Sequence, residues 1–220
     1  MRDWWTYSPA DFVMYTEHAY YGLFARMNLR LWPSQFVALA AGMLVAVLLL
    51  SGGARKSRAG AVLLALAWGA VAAFYFFHEY ATIHTFARWF AVAFGIEAAV
   101  LLVAAARRRP TEGATPLARA IGGGVMMAFA LLVQPLFAPL TGRPWSQAEL
   151  FALAPDPTVT FTFGAMLTLG AGWGAWLIPV LWTLYNATTL RVLHAPEWAV
   201  LPSVAAIAAL GALAMRIRRV

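Results

Sequence analysis

The chain has 220 residues, of which 62% are hydrophobic and only 11% are charged, and its mean hydropathy is +0.71. A soluble domain carries about 25% charged residues, so this chain has too few to cover a soluble surface, and lipid must cover part of it. The formal net charge of +7 does not indicate nucleic acid, because the basic residues flank apolar runs as orienting charges do. The absence of cysteine excludes disulfides, thiolate catalysis and Cys-ligated metal centres.

The first 30 residues differ in character from the rest of the chain. They lack the apolar core of a cleavable signal peptide, so we expect the first spanning segment to act as the insertion signal. Residues 8–29 predict an amphipathic helix, capped by Ser8 and begun by Pro9. With Trp4 and Trp5 beside it, this helix is expected to lie in the membrane interface or, alternatively, to pack on the outer ends of the bundle. The predicted units are therefore an interfacial helix in 1–30 and a transmembrane bundle in 31–220.

Seven apolar segments follow, and crossing a hydrocarbon core takes about 20 helical residues. The segments cover about 32–50, 59–77, 86–106, 117–137, 158–171, 175–193 and 198–215. The predicted fold is an all-α, polytopic transmembrane helix bundle. The fifth segment is short and rich in Thr and Gly, which also fits a re-entrant loop.

The distribution of positive charge favours counting the fifth segment as a span. With seven spans, the basic clusters at 55–58, 107–109 and 216–219 share one side, as the positive-inside rule requires. A re-entrant fifth segment would put the last cluster on the opposite side. The sequence therefore predicts a protein of the inner (cytoplasmic) membrane, with its N-terminus outside and its C-terminus in the cytoplasm.

Polar residues concentrate towards the predicted outer face, where a pocket is expected because polar groups in hydrocarbon face the protein interior or water. Glu97 is the one acidic residue well inside a span, and it is a candidate proton site or a protonated carboxyl bonded between helices. The candidate ligand or proton site consists of five residues: Glu97, Gln134, Thr160, Thr162 and Asn186.

A metal site at the outer face is an alternative, because imidazole and carboxylate groups bind Zn, Cu, Fe or Ni. The candidate ligands are His78, Glu79, His84 and His194. Two of the histidines are also candidates for binding a b-type haem. Their spacing matches no ligand motif, so the histidines are expected to bond to loops or lipid headgroups, and we predict no cofactor. No nucleophile elbow, Walker loop or metalloprotease helix is present to indicate a reaction.

Three stretches of the sequence resemble a family of uncharacterised bacterial multi-pass membrane proteins. They are RMNLRLWPSQ at 26–35, FFHEY and IHTFARWF within 76–90, and APDPTVTFTFG at 154–164. The similarity runs over most of the chain. The family pattern commonly has Cys at the position of Asp156 and Asn at that of His84, so this sequence departs from it at both. The resemblance implies a seven-span membrane protein and no known activity.

Three functions compete at this point. We favour a non-enzymatic accessory or structural subunit of a membrane complex, because the chain is small, has long aromatic apolar faces and lacks catalytic motifs. The second is a small transporter or small-molecule binder that uses the outer polar pocket. The third is a metal- or haem-dependent membrane enzyme. The expected partners are the lipid bilayer and other membrane subunits, and nucleic acid is not expected.

Overall fold

The computed structural model describes residues 8–107 and 115–217, and within these ranges the chain forms helices and turns without β-strands. Several residues used in the sequence analysis lie outside the described ranges: Trp4, Trp5, Arg108, Arg109, Arg218 and Arg219. The structure therefore describes the helical bundle, but it describes only part of two of the three basic clusters.

Nine α-helices are present in the described ranges. They are α1 (Glu17–Arg30), α2 (Ser34–Leu50), α3 (Ala54–Ala70), α4 (Ala87–Arg107), α5 (Leu117–Ala128), α6 (Phe137–Leu140), α7 (Pro155–Leu169), α8 (Leu177–Val192) and α9 (Val200–Ile217). Short 3-10 turns occupy Pro9–Phe12, Trp145–Gln147, Trp173–Trp176 and Pro196–Ala199.

Two of these helices continue as wider π-helical segments. Helix α3 runs on through Val71–Glu79, and α5 runs on through Phe129–Val133 before a 3-10 turn at Gln134–Leu136. A π-helical segment interrupts the regular backbone bonding and is frequent at functional sites. Both extensions lead to the same end of the bundle, where the polar side chains described below collect.

Four continuous helical stretches are long and apolar enough to cross a membrane: Ala54–Thr82, Ala87–Arg107, Leu117–Leu140 and Pro196–Met215. Helices α1 and α2 pass the same test only together, as a pair bent by 96°, which makes up to five candidate spans in the described residues. The predicted fifth and sixth spans correspond to α7 and α8, which have 15 and 16 residues. The all-helical class is thus confirmed, and the count of seven spans stays a prediction.

Helix α7 is enclosed by protein. Every residue from Pro155 to Thr168 is buried, and α7 contacts α2, α3, α5, α8 and α9. Its closest neighbour is α5, where a Cβ on Gly164 would come within 2.6 Å of the carbonyl oxygen of Gly123. Gly170, at φ +62°, ends the helix in the left-handed conformation that glycine adopts without strain. A helix covered on all sides need not match the thickness of a lipid layer.

The N-terminal region differs from the predicted helix over 8–29. The 3-10 turn at Pro9–Phe12 stops early, and α1 begins at Glu17 with Thr16 as its cap, whose hydroxyl oxygen accepts from the Ala19 N–H at 3.2 Å. The Ser8 hydroxyl donates to Asp11 at 3.0 Å. Helix α1 buries six residues in the bundle: Tyr20, Tyr21, Leu23, Phe24, Met27 and Asn28. This burial favours packing against the bundle over an interfacial position.

Candidate functional site

Polar side chains meet at one end of the bundle, which we call the polar end. There α1 contacts the segment between α6 and α7, because Asn28 Nδ2 donates to the carbonyl oxygens of Ser146 and Ala148, both at 2.9 Å. The Tyr21 hydroxyl of α1 donates to Glu197 Oε1 at 2.7 Å, which adds the turn before α9. The polar end is therefore assembled from segments more than a hundred residues apart in the chain.

A small cavity at the polar end is bordered by four polar side chains, and we call it the acidic chamber. Gln134, Glu149, Asp156 and Glu197 line it together with apolar groups, and its volume is about 20 Å³. A cavity of roughly 10–15 Å³ is sufficient for one water molecule. The acidic chamber is thus large enough for one small polar species.

Asp156 is held at one wall of the acidic chamber by two donors from α8. Trp182 Nε1 donates to Asp156 Oδ1 at 2.9 Å, and Asn186 Nδ2 donates to Asp156 Oδ2 at 2.7 Å. The Tyr20 hydroxyl donates to Asn186 Oδ1 at 3.3 Å, which fixes the orientation of the amide. Each carboxylate oxygen of Asp156 therefore already has a donor.

Glu197 is paired with the buried cation of the site. Arg143 Nη2 forms an ion pair with Glu197 Oε1, and the Arg143 guanidinium lies 3.5 Å from the centre of the Tyr21 ring. Arg143 Nε also donates to Thr141 Oγ1 at 2.9 Å. The ion pair and the contact with the ring together fix the orientation of this positively charged guanidinium.

Four buried polar atoms of this group have no hydrogen-bond partner within the described part of the chain. They are Gln134 Oε1, Arg143 Nη1, Glu149 Oε2 and Glu197 Oε2. Burial raises the pKa of Glu149 well above its usual range; the charge on Asp156 raises it further, Arg143 opposes the rise and Glu197 adds to it. An unpaired buried polar group is costly, so these atoms are expected to bind a water molecule or another small polar species.

A second and larger cavity is formed by the N-terminal turn, the start of α4 with the residues before it, and α8, and we call it the aromatic pocket. Its volume is about 490 Å³, within the range of about 300–1,000 Å³ typical of small-molecule sites. Its lining consists of Ser8, Phe12, Val13, His84, Phe86, Phe90, Tyr185, Thr188 and Thr189. The walls are thus largely aromatic, with hydroxyl groups and one imidazole.

His84 begins a chain of hydrogen bonds between uncharged groups. Its Nδ1 accepts from the Phe86 N–H at 3.1 Å, which requires a bare Nδ1 and places the proton of the neutral ring on Nε2. Nε2 then donates to the Tyr185 hydroxyl at 2.9 Å, which bonds to the Tyr80 hydroxyl at 3.1 Å. Tyr80 bonds in turn to Tyr15 at 2.6 Å. Burial lowers the pKa of His84, which agrees with a neutral ring.

The predicted ligand or proton site divides between two regions. Gln134 and Asn186 belong to the acidic chamber and its supporting bonds, whereas Glu97, Thr160 and Thr162 do not line either cavity. Thr162 accepts the indole N–H of Trp68 at 2.8 Å. The hydroxyl of Thr160 and Oε1 of Glu97, a residue only 1% exposed, are buried without a partner in the described structure.

The predicted metal ligands do not assemble into a site. His78 and His194 are exposed, and Glu79 is buried against Arg26 and Arg30, with its oxygens 3.6 and 3.1 Å from their nitrogens. His84 bonds to Tyr185 instead. Among the described residues, no group of three or more His, Asp or Glu side chains is placed to hold a metal ion.

The sequence analysis missed the residues that form most of both cavities. It expected a polar pocket at the predicted outer face but did not include Glu149, Asp156 or Glu197 among the candidate residues, and it did not single out Arg143 or Tyr185. The available signal was the concentration of charged residues in the segments that follow α6 and α8, in a chain with so few charges. Arg143 and Glu197 are 54 positions apart in the chain, and hydrophobic periodicity does not reveal a contact over that separation.

Comparison with protein families gives one match. The model described as "Family of unknown function (DUF6064)" covers residues 17–220. The chain belongs to this family. The matched range includes every residue of the acidic chamber, whereas Ser8, Phe12 and Val13 of the aromatic pocket precede it. Comparison with curated proteins and with solved structures finds no match.

Proposed function

We propose that this DUF6064 protein is an integral membrane protein that binds a small uncharged molecule in the aromatic pocket. The observation that supports it best is a cavity of about 490 Å³ with aromatic walls and a few hydrogen-bonding groups at one end of the bundle. A small-molecule binder was the second function considered from the sequence, but the pocket is a different one, because none of the five candidate residues named there lines the aromatic pocket.

The membrane part of the proposal is supported by the outer surface of the bundle. Large apolar side chains that are at least one-third exposed recur on α2, α4 and α9, and they include Val37, Val47, Val92, Ile96, Ile207 and Leu210. Soluble monomers rarely expose continuous apolar patches of this kind, whereas lipid requires them. We place the protein in the bacterial inner membrane, as the resemblance implies, and its N-terminus on the outer face, as the distribution of positive charge favours.

The lining of the aromatic pocket sets the chemistry of the ligand. Phe12, Phe86 and Phe90 offer aromatic faces to a flat apolar group. Thr188 and Thr189 offer hydroxyls, and no charged side chain belongs to the lining found in the described residues. A charged ligand would lose its hydration without gaining an ion pair, so we infer an uncharged molecule with one or two hydrogen-bonding groups.

The accessory-subunit hypothesis stays a prediction. The exposed apolar faces that favoured it are also what contact with lipid requires, so they do not separate a lone protein from a subunit. Purification in mild detergent tests it, because a subunit is expected to bring the same partner proteins in fixed ratio. A protein isolated alone, with its ligand, supports the binding function.

The experiment uses the purified full chain in lipid nanodiscs, extracted with organic solvent and examined by mass spectrometry for small molecules. We expect one uncharged molecule in a fixed ratio to the protein. Thr188→Trp places a large ring in the exposed wall of the pocket and should remove that molecule. Leu184→Trp is the matched control, because Leu184 is also exposed on α8 and is not part of the pocket lining.

The two variants decide the assignment together. Loss of the molecule from Thr188→Trp, with retention in Leu184→Trp and in the unmodified chain, supports the aromatic pocket. The proposal is contradicted by retention of the molecule in Thr188→Trp, or by a chain that carries only bulk lipid in all three preparations.

A further inference from the structure

We propose that the acidic chamber is a binding site for a small monovalent cation, held by Gln134, Glu149 and Glu197. This site is separate from the aromatic pocket and goes beyond the proposed function. The cation site requires no bound organic molecule, so either proposal can be correct when the other is wrong.

The first argument concerns unpaired acceptors. Gln134 Oε1, Glu149 Oε2 and Glu197 Oε2 are all buried without a hydrogen-bond partner in the described residues, and all three residues line the same cavity. Gln134 is only 6% exposed, so bulk water does not satisfy its oxygen. Amide and carboxylate oxygens accept hydrogen bonds but cannot donate to one another, whereas one cation can bind all three oxygens.

The second argument concerns charge. Glu149, Asp156 and Glu197 place three carboxyl groups beside one cation, Arg143, so the fully ionised group would carry a net excess of negative charge, which adds to the effect of burial in raising the pKa of Glu149. Both oxygens of Asp156 already accept from α8, so this residue contributes its charge and not a ligand atom. Tyr20 and Tyr21 face the group from α1 as neutral donors. A bound cation offsets the excess negative charge inside the protein.

The third argument selects the kind of cation. The volume of about 20 Å³ accepts one water-sized species, whereas Ca²⁺ requires six to eight oxygens and Mg²⁺ keeps several waters. The lining of the acidic chamber in the described chain includes no histidine, and imidazole is the ligand that suits transition metals.

A proton on Glu149 is the main competitor for this role. Protonation removes one negative charge and converts one acceptor into a donor, so it relieves part of the same unfavourable arrangement. Proton and cation therefore exclude one another, and the experiment must vary both.

The test measures the melting temperature of the full chain in nanodiscs in LiCl, NaCl, KCl or choline chloride at equal ionic strength. At about pH 8 we expect at least one small cation to raise the melting temperature in a saturable way relative to choline. At about pH 6 the half-maximal concentration should rise, because protons compete for Glu149. Equal melting temperatures in all four salts at both pH values would overturn the proposal.

Two variants and one control locate the effect. Glu149→Gln and Gln134→Met should each raise the half-maximal cation concentration at least tenfold, whereas Glu17→Gln changes an exposed carboxylate and should leave it unaltered. A full cation response in Glu149→Gln would contradict the assignment. If that variant does not fold, Gln134→Met and the salt series on the unmodified chain decide the question.

Discussion

Asn186 Nδ2 donates a hydrogen bond of 2.7 Å to Asp156 Oδ2, and this contact joins the middle of α8 to the first turn of α7. Asp156 is buried, and its carboxylate lies at the N-terminus of α7, where the helix dipole favours negative charge. The bond is therefore part of what fixes α7 in the centre of the bundle. Its loss should lower the stability of the protein and also release Asp156 at the wall of the acidic chamber.

We predict that Asn186→Leu destabilises the protein by about 1–3 kcal/mol, because it leaves one oxygen of a buried carboxylate without its donor. Thermal unfolding in nanodiscs measures the change. Gln147→Leu is the control, since Gln147 is an only partly buried amide in the nearby 3-10 turn. Equal stability of Asn186→Leu and the unmodified chain would show that the contact does not hold α7 in place.

Two threonines on α7 provide a matched pair. Thr162 accepts the indole N–H of Trp68, whereas the hydroxyl of Thr160 is buried without a partner in the described residues, and both are fully buried. Thr162→Val should therefore cost about 1–3 kcal/mol through the unpaired indole, and Thr160→Val should be neutral or stabilising. Their melting temperatures, compared directly, check this. The same change in both variants would contradict the assigned bond.

The contact between α5 and α7 gives a packing prediction. A Cβ at Gly164 would come within 2.6 Å of the backbone oxygen of Gly123, so Gly164→Ala must force these helices apart, at a cost of about 1–3 kcal/mol. Gly95→Ala on α4 meets no atom within 4 Å and should stabilise its helix by up to about 1 kcal/mol. The free energy of unfolding should therefore fall in Gly164→Ala and rise in Gly95→Ala. Unchanged stability of Gly164→Ala would contradict the close approach of the two helices.

His84 gives the fold a dependence on pH. Burial lowers its pKa from the ordinary value of 6.5, so the neutral ring stabilises the fold above that pH, and this contribution is lost as pH falls through the lowered pKa. Protonation also removes the bond from the Phe86 N–H to Nδ1. We predict that melting temperature falls on acidification below about pH 6.5 less steeply in His84→Asn than in the unmodified chain.

The control for the pH series is His78→Asn, because the side chain of His78 is exposed. This variant should keep the pH dependence of the unmodified chain. If His84→Asn and the unmodified chain lose stability in parallel, the titrating group lies elsewhere in the protein.

The positions of most helices were predictable because lipid-length apolar runs and flanking Gly, Pro and Arg mark them directly. Trp68 and Trp182 lie in the middle of apolar segments and not at their ends, and both are buried. The sequence predicted one continuous helix over 8–29, because its helical pattern does not reveal the break before Glu17. It also gave no sign that α7 is enclosed by protein, since a Thr/Gly-rich run looks the same whether it meets helices or lipid.

The sequence indicated where polar side chains collect, but not which of them contact one another. Gln134 and Asn186 were found because polar groups are rare in apolar segments, and both belong to the acidic chamber or its supporting bonds. Glu97 attracted attention for the same reason but does not line either cavity. The pairing of Arg143 with Glu197 and the bond from His84 to Tyr185 depend on how loops fold over the helix ends. Hydrophobic periodicity carries no information about such contacts.

The measurement that tests the account most directly uses the absence of native cysteine. Thr188→Cys places a thiol in the aromatic pocket, and Lys56→Cys places one at the opposite, basic end of α3; both positions are exposed. In intact bacterial cells, a membrane-impermeant maleimide should label Thr188→Cys, and it should label Lys56→Cys only after permeabilisation. Labelling of both variants in intact cells, or of neither, would contradict a membrane protein whose aromatic pocket opens on the outer face.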